Sequence, residues 1–216
     1  MVYYAEISSL GKLPEEFEME ELLFSDFLPK VLTYPDIAPT VFAFVQGWLN
    51  RQNNPEEIWD IYDENRNLTG RQHRRGSLMK PGEYHLGVEA WLLNSHGEFL
   101  ITKRSADKGF PNMWESTGGS ACAGDDSLTA VIREVWEETG LTLEKDQGQL
   151  LFTLKRSDSF KDIWLFRGEF CLEDVILQPG ETTDKRYAGP GEILQMRSRG
   201  EFVPLDYLER IFAAIH

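Results

Sequence analysis

The chain is poor in cysteine, in long apolar runs and in positive charge, and each shortage excludes something. Two cysteines among 216 residues, Cys122 and Cys171, are too few for a disulfide framework and lack the spacing of a metal knuckle. Both read as small reduced side chains of a cytoplasmic protein. No apolar run reaches the ~18 residues that a membrane-crossing helix needs. No basic segment followed by an apolar one stands at the start, so neither a membrane span nor secretion is expected. Lysine and arginine number 22 against 36 aspartates and glutamates, a formal net charge of −14. Non-specific nucleic-acid binding depends on neutralising phosphates with cations, so a nucleic-acid polymer is not an expected partner. A small phosphorylated substrate stays compatible, because a bound divalent cation and a few local cations can reverse the field within one cleft.

What is present suits a globular protein with one sizeable core: 41% of residues are hydrophobic and 12% aromatic, in a chain of a length that buries one. Residues 1–55 differ in composition from the rest. An acidic stretch from Pro14 to Glu21 leads into Leu22, Leu23, Phe24, Phe27 and Leu28. Asp36 to about Gln52 then reads as a helix, with Asp36 as cap and Pro39 tolerated in the first turn. Ile37, Val41, Phe44, Val45, Trp48 and Leu49 form its apolar stripe. This N-terminal helical extension needs a surface to bury Phe42, Phe44 and Trp48, either the main core or a second copy in a homodimer. Asn53-Asn54-Pro55 marks the boundary with a domain over 56–216.

In that domain Ile58 to Asp63 and Leu68 to Gln72 read as a hairpin. Tyr84 to Leu93 and Glu98 to Lys103 read as a second, turned by Asn94-Ser95-His96-Gly97. Arg71-Gln72-His73-Arg74-Arg75 is a basic island, either solvated or suited to phosphate contact through Arg74 and Arg75. A loop from Arg104 to Gly118 carries Phe110, Trp114 and Glu115. Strands are expected near 149–156 and 162–171, and closing helices near 190–196 and 205–215. Strands, helix, strands, then helices make an α+β class.

The most informative stretch is GSACAGDDSLTAVIREVWEETGL, Gly119 to Leu141. At about 100° per residue, Leu128, Val131, Ile132, Val135 and Trp136 fall on one side, the stripe of a helix packed on a core. Glu134, Glu137 and Glu138 fall on the other, with Ala130 and Ser127 leaving room beside them. Like charges at i, i+4 destabilise a helix by some tenths of a kcal/mol, and Arg133 is one positive charge against three negative ones. A hard divalent cation takes such oxygen clusters.

Gly119, five residues, Asp125, seven residues, then Arg133-Glu134-Val135-Trp136-Glu137-Glu138-Thr139-Gly140-Leu141 closely resembles the Nudix box. Gly119, Arg133, Glu134, Glu137, Glu138 and Gly140 match at fixed spacing, by chance about once in ten million windows. Asp125 stands where the family has a glutamate. The resemblance covers about residues 56–215 and implies the Nudix fold, a mixed sheet sandwiched between helices. It implies a pyrophosphohydrolase using Mg²⁺ or Mn²⁺ on a nucleoside-diphosphate-linked or related diphosphate. Glu134, Glu137 and Glu138 would be the metal ligands, Gly119 would let its backbone approach, and Arg133 would orient Glu137. The general base would be Glu134 or one of Glu169, Glu173 and Glu181. Trp114 would either stack on a base or sugar or pack beneath the loop.

EYHLGVEAWLLNSHGEFLITKR and FPNMWE also resemble isopentenyl-diphosphate isomerase and its hydrolase-like relatives. Those isomerases carry a cysteine and a metal-binding histidine where this chain has Gly118 and Ser120, which removes the thiol that works on carbon. A non-catalytic nucleotide sensor is the third reading, and such proteins lose box carboxylates that are kept here.

Overall fold

The computed structural model describes residues 57–106, 108–178 and 180–215. The expected N-terminal helices, and the homodimer contact expected of them, lie outside the described residues. The elements run β1 (Ile58–Tyr62), β2 (Leu68–Arg74), β3 (His85–Leu93), β4 (Phe99–Arg104), β5 (Trp114–Glu115), β6 (Thr117–Ser120), α1 (Ser127–Thr139), β7 (Gly148–Lys155), β8 (Ser159–Arg167), β9 (Thr182–Ala188), α2 (Pro190–Ser198) and α3 (Leu208–Ala213).

Strand β3 explains the architecture. All but its first residue are buried, and successive side chains must alternate between two faces. Leu86, Val88, Ala90 and Leu92 join a cluster with Ala130, Val131 and Val135 of α1. Trp91 and Leu93 join another with Ile193 and Met196 of α2 and Leu208, Ile211 and Phe212 of α3. The sheet therefore lies between helices. It is mixed: β3 runs parallel to β8 and antiparallel to β4 and β6. Beyond these, β7 pairs with β8 while β5 and β9 pair with β4. No described helix is long and apolar enough to cross a membrane.

The hairpin β1–β2 forms a separate two-stranded sheet, held to the main one by Arg66 in its turn. Arg66 donates from Nη1 to Thr153 Oγ1 at 2.9 Å and to Asp162 Oδ1 at 2.8 Å. From there β1 reaches the loop before α1, where Ala123 N–H donates to Ile58 O at 2.8 Å and Gly124 N–H to Asp60 Oδ2 at 2.7 Å.

Helix α1 begins where a side chain can take an orphan amide: Asp126 accepts from Thr129 N–H at 2.7 Å. It ends at Gly140, whose φ of 70° favours glycine, and whose N–H closes on Trp136 O at 2.8 Å. The buried residues of α1 are Ala130, Val131, Val135, Glu138 and Thr139, so the core-facing stripe is rotated from the expected one. Ala130 is packed in the core and leaves no room beside the glutamates. Ser127 is half-buried, and its hydroxyl accepts from Trp164 Nε1 at 2.9 Å.

Three strands escape the sequence reading. β5 and β6 fall in the expected loop, since one has two residues and the other two glycines. β9 is a polar segment, TTDKRYA, with Thr182 and Ala188 as its buried residues. Strand β8 spans Ser159–Arg167, so Cys171 lies beyond it and is exposed.

Two outcomes follow for stability. Hydrogen bonds from Thr129 hold the Asp126 carboxyl below its usual value, so the cap contributes above the unfolded pKa of about 3.9 and is lost as pH falls through the lower folded value. Asp126→Ala is expected to cost about 1 kcal/mol at neutral pH, and urea melts should show the difference closing in acid. A Cβ at Gly118 would stand 2.5 Å from the backbone oxygen of Val88, whereas one at Gly87 would meet nothing closer than 3.6 Å. Gly118→Ala should therefore cost about 1–3 kcal/mol in the same melts and Gly87→Ala far less.

Candidate functional site

The site is built where β6 hands the chain to α1. Gly119 lies opposite Val88 of β3, and the Glu134 carboxylate lies over its Cα, where any Cβ would collide with it. The absence of a side chain at 119 is what lets Glu134 lie against the backbone. Arg133 binds loop to helix with its whole fork. Its Nη2 donates to Ser120 O at 2.9 Å and its Nε to Asp125 Oδ2 at 3.3 Å. Its Nη1 reaches Glu134 Oε1 at 2.9 Å and Glu137 Oε2 at 3.3 Å. Asp125 also accepts from Cys122 N–H at 3.2 Å, closing the turn that the shorter acid spans.

The three α1 glutamates are not equally wet. Glu138 is 5% exposed and its Oε2 is buried without a hydrogen-bond partner. Burial pushes its carboxyl up to about 8; Lys108 pulls against that, and the charges of Glu115, Glu134 and Glu181 add to it. Burial likewise pushes Glu134 up to about 7, opposed by Arg133 and reinforced by Glu137. The same acids, again working against burial, raise the Arg133 guanidinium above its usual value.

Lys108, from the loop between β4 and β5, reaches this end of α1. Its Nζ lies 2.6 Å from Glu181 Oε2 and 3.7 Å from Glu138 Oε1. Behind it Arg104 of β4 pairs with Glu115 of β5. Glu115 is buried with Oε1 unpartnered; burial raises its carboxyl, against Arg104 and Lys108. Of the three downstream glutamates, Glu181 is the one brought to α1. Glu169 accepts from Ser95 N–H and Glu173 from the Cys171 thiol.

The remaining sequence candidates divide. Arg75 pairs with Glu57 and feels the charges of Glu181 and Glu134, so it borders the acidic face. Arg74, opposite Ile58 at the end of β2, is exposed. Trp114 packs against the cluster under α2 and α3, between the Lys103 ammonium 5.7 Å from its ring centre and the Arg186 guanidinium at 5.8 Å. It is not brought together with the glutamates. Lys108, Arg104 and Glu115 were not found from sequence; they sit in a stretch with no periodicity, and only the pairing of β5 with β4 assembles them.

Hard oxygen donors with a buried unpartnered oxygen fit a divalent cation. Among the described residues no three His, Cys, Asp or Glu side chains are arranged to hold one as they stand. The reason is visible: Arg133 holds Glu134 and Glu137, and Lys108 lies against Glu138.

The NUDIX domain family matches residues 83–214. A protein of Listeria monocytogenes named as an uncharacterized Nudix hydrolase is 39% identical over 158 residues, 72% of this chain and 94% of that one. An isopentenyl-diphosphate Delta-isomerase of Citrobacter koseri is 30% identical over 97 residues, 44% of this chain and 46% of that one. A crystal structure from Deinococcus radiodurans shares the fold at 24% identity and a TM-score of 0.59, covering 72% of this chain and 97% of that one. The matched region takes in more than half of the chain, including all of α1 and the strands that support it, and the chain belongs to the Nudix family.

Proposed function

We propose that the protein is a Mg²⁺- or Mn²⁺-dependent pyrophosphohydrolase acting on a nucleoside-diphosphate-linked or related small diphosphate in the cytoplasm. The observation that carries this reading is the state of two glutamates of one helix face. Glu134 and Glu138 are pushed up to about 7 and about 8, chiefly by burial, and Glu138 keeps an oxygen with no partner. A cation would restore both carboxylates to their charged form.

Glu134, Glu137 and Glu138 would hold the metal, with the Gly119 backbone open to it. When bound, the metal polarises the phosphoryl group and makes a bound water more acidic. Hydrolysis joins a water oxygen to one phosphorus, breaks the bridging P–O bond and requires a carboxylate to take the water's proton. Glu181 is the preferred acceptor, because Lys108 links it to Glu138; Glu134 is the other. Arg133 acts as a positioning residue: four acceptors fix its fork, and its fork fixes Glu134 and Glu137. Arg75, which feels the charges of Glu181 and Glu134, is suited to a substrate phosphate, and phosphoryl transfer asks the protein mainly for such positioning and charge stabilisation.

Isomerase chemistry is disfavoured by Gly118 itself. A cysteine there would drive its Cβ into the backbone of Val88, and the thiol of Cys122 is raised by burial, away from the reactive thiolate.

The test is product release from a panel of diphosphate compounds with Mg²⁺ and Mn²⁺. Loss of one group from a charge-stabilising site costs on the order of 10²–10³ in kcat. A fall of that order is expected for Glu137→Gln and for Glu138→Gln, with the melting temperature kept. Unchanged rates in either variant would remove that glutamate from the metal site.

A further inference from the structure

We propose that Lys108 is a tethered counter-ion that competes with the divalent cation for Glu138, so that the cation enters by displacing its ammonium. This deepens the reading above and rests on it.

Arg133 and Lys108, which both attend the α1 glutamates, are held in different ways. Arg133 is anchored outside the α1 glutamates by the backbone oxygen of Ser120 and by Asp125 in the loop, so it can keep its place whatever binds those glutamates. Lys108 has no such anchor among the described residues. Its ammonium meets Glu181 at 2.6 Å and Glu138 at 3.7 Å, and Glu138 is a carboxylate that a divalent cation would draw to itself. Lysine's flexible four-carbon stem lets a single point charge swing away.

The loop is built to let that happen. Its base is fixed to the segment bearing Glu181: Ser105 N–H donates to Glu181 O at 2.9 Å and its hydroxyl to Gly180 O at 2.7 Å. Past Lys108 the Gly109 carbonyl accepts from Arg104 Nε, and Phe110, at φ 53°, is 53% exposed. With the backbone held on both sides of Lys108, release of the ammonium is a movement of its side chain alone. At Glu138 the ammonium stands beside Oε1 while Oε2 remains buried and unpartnered. A lysine at 3.7 Å from one oxygen leaves that carboxylate half-satisfied, with bonding capacity that a divalent cation would use.

The test uses the full chain, freed of metal, and Mn²⁺ alone as probe, with binding read by electron paramagnetic resonance of free Mn²⁺. A unit positive charge about 4 Å from the glutamates acts strongly on an incoming cation. Lys108→Met is therefore expected to bind Mn²⁺ about tenfold more tightly than the natural chain, about 1.4 kcal/mol. Lys108→Arg, which keeps the charge, should stay within about twofold. A second measurement needs no variant: Mn²⁺ should raise the labelling of Lys108 by an amine-reactive reagent, read by mass spectrometry. Equal or weaker Mn²⁺ binding by Lys108→Met, or labelling that Mn²⁺ leaves unchanged or lowers, overturns the proposal while the metal-site reading stands. Absence of Mn²⁺ binding by the natural chain overturns both.

Discussion

Burial of carboxylates on α1, against the cost of leaving them charged, sets the terms for everything else around the site. A carboxylate in a low-dielectric setting is expensive unless a counter-charge or hydrogen bonds compensate it. Packing Ala130, Val131 and Val135 onto β3 brings Glu138 down with them, because it follows Val135 by three and Val131 by seven, on the same helix face. Gly119 then has to be bare so that Glu134 can lie against β6. Arg133 has to reach both the loop and the helix, and the β4–β5 loop has to send Lys108 across. The hairpin β1–β2 closes the arrangement by holding the loop at Ala123 and Gly124.

A second buried glutamate shows what full compensation looks like. Glu89, on the other face of β3, is 2% exposed. It accepts from Trp91 Nε1 at 2.7 Å and Tyr207 OH at 2.6 Å, and pairs with Lys161 at 2.5 Å. Burial works against its charge, yet Lys161, with the hydrogen bonds from Lys161, Tyr207 and Ser116, holds it below the usual carboxylate value. Glu138 is buried almost as deeply and is displaced in the opposite direction, to about 8. The difference lies in partners rather than depth. Glu89 is a finished structural network that ties β3 to the start of α3, while Glu138 is left with bonding capacity for something else. Perturbed acids of the second kind are where chemistry is sought.

Much of this was legible in the sequence, and the parts that were not share a cause. The α1 signal is local: stripe, acid spacing and terminating glycine all lie within one run from Leu128 to Gly140, so periodicity and a family resemblance find it. β3 was legible for the same reason, as an apolar run bounded by Pro81-Gly82 and Asn94-Ser95. The rotation of the α1 stripe was not, because at 100° per residue Ala130 falls among the glutamates, and tertiary packing with Leu86 and Val88 draws it into the core. β9 was missed because a polar strand bordering the site carries no alternation. Lys108, Arg104 and Glu115 were missed because their meaning is a cross-strand pairing of Thr102 with Glu115, which no local pattern encodes. Trp114, the aromatic beside the box, packs against the core, one of the two alternatives open to it, while its neighbour Glu115 adds its charge to Glu138.

The central claim, that Glu134 and Glu138 of α1 are buried in order to bind a divalent cation, is most directly tested by anomalous diffraction at the manganese edge from crystals of the full chain grown with Mn²⁺. A single strong peak within coordination distance of both carboxylates, about 2.0–2.6 Å, is the predicted result. Full occupancy of Mn²⁺ elsewhere, with Lys108 still against Glu138 and no peak on that face of α1, would contradict it.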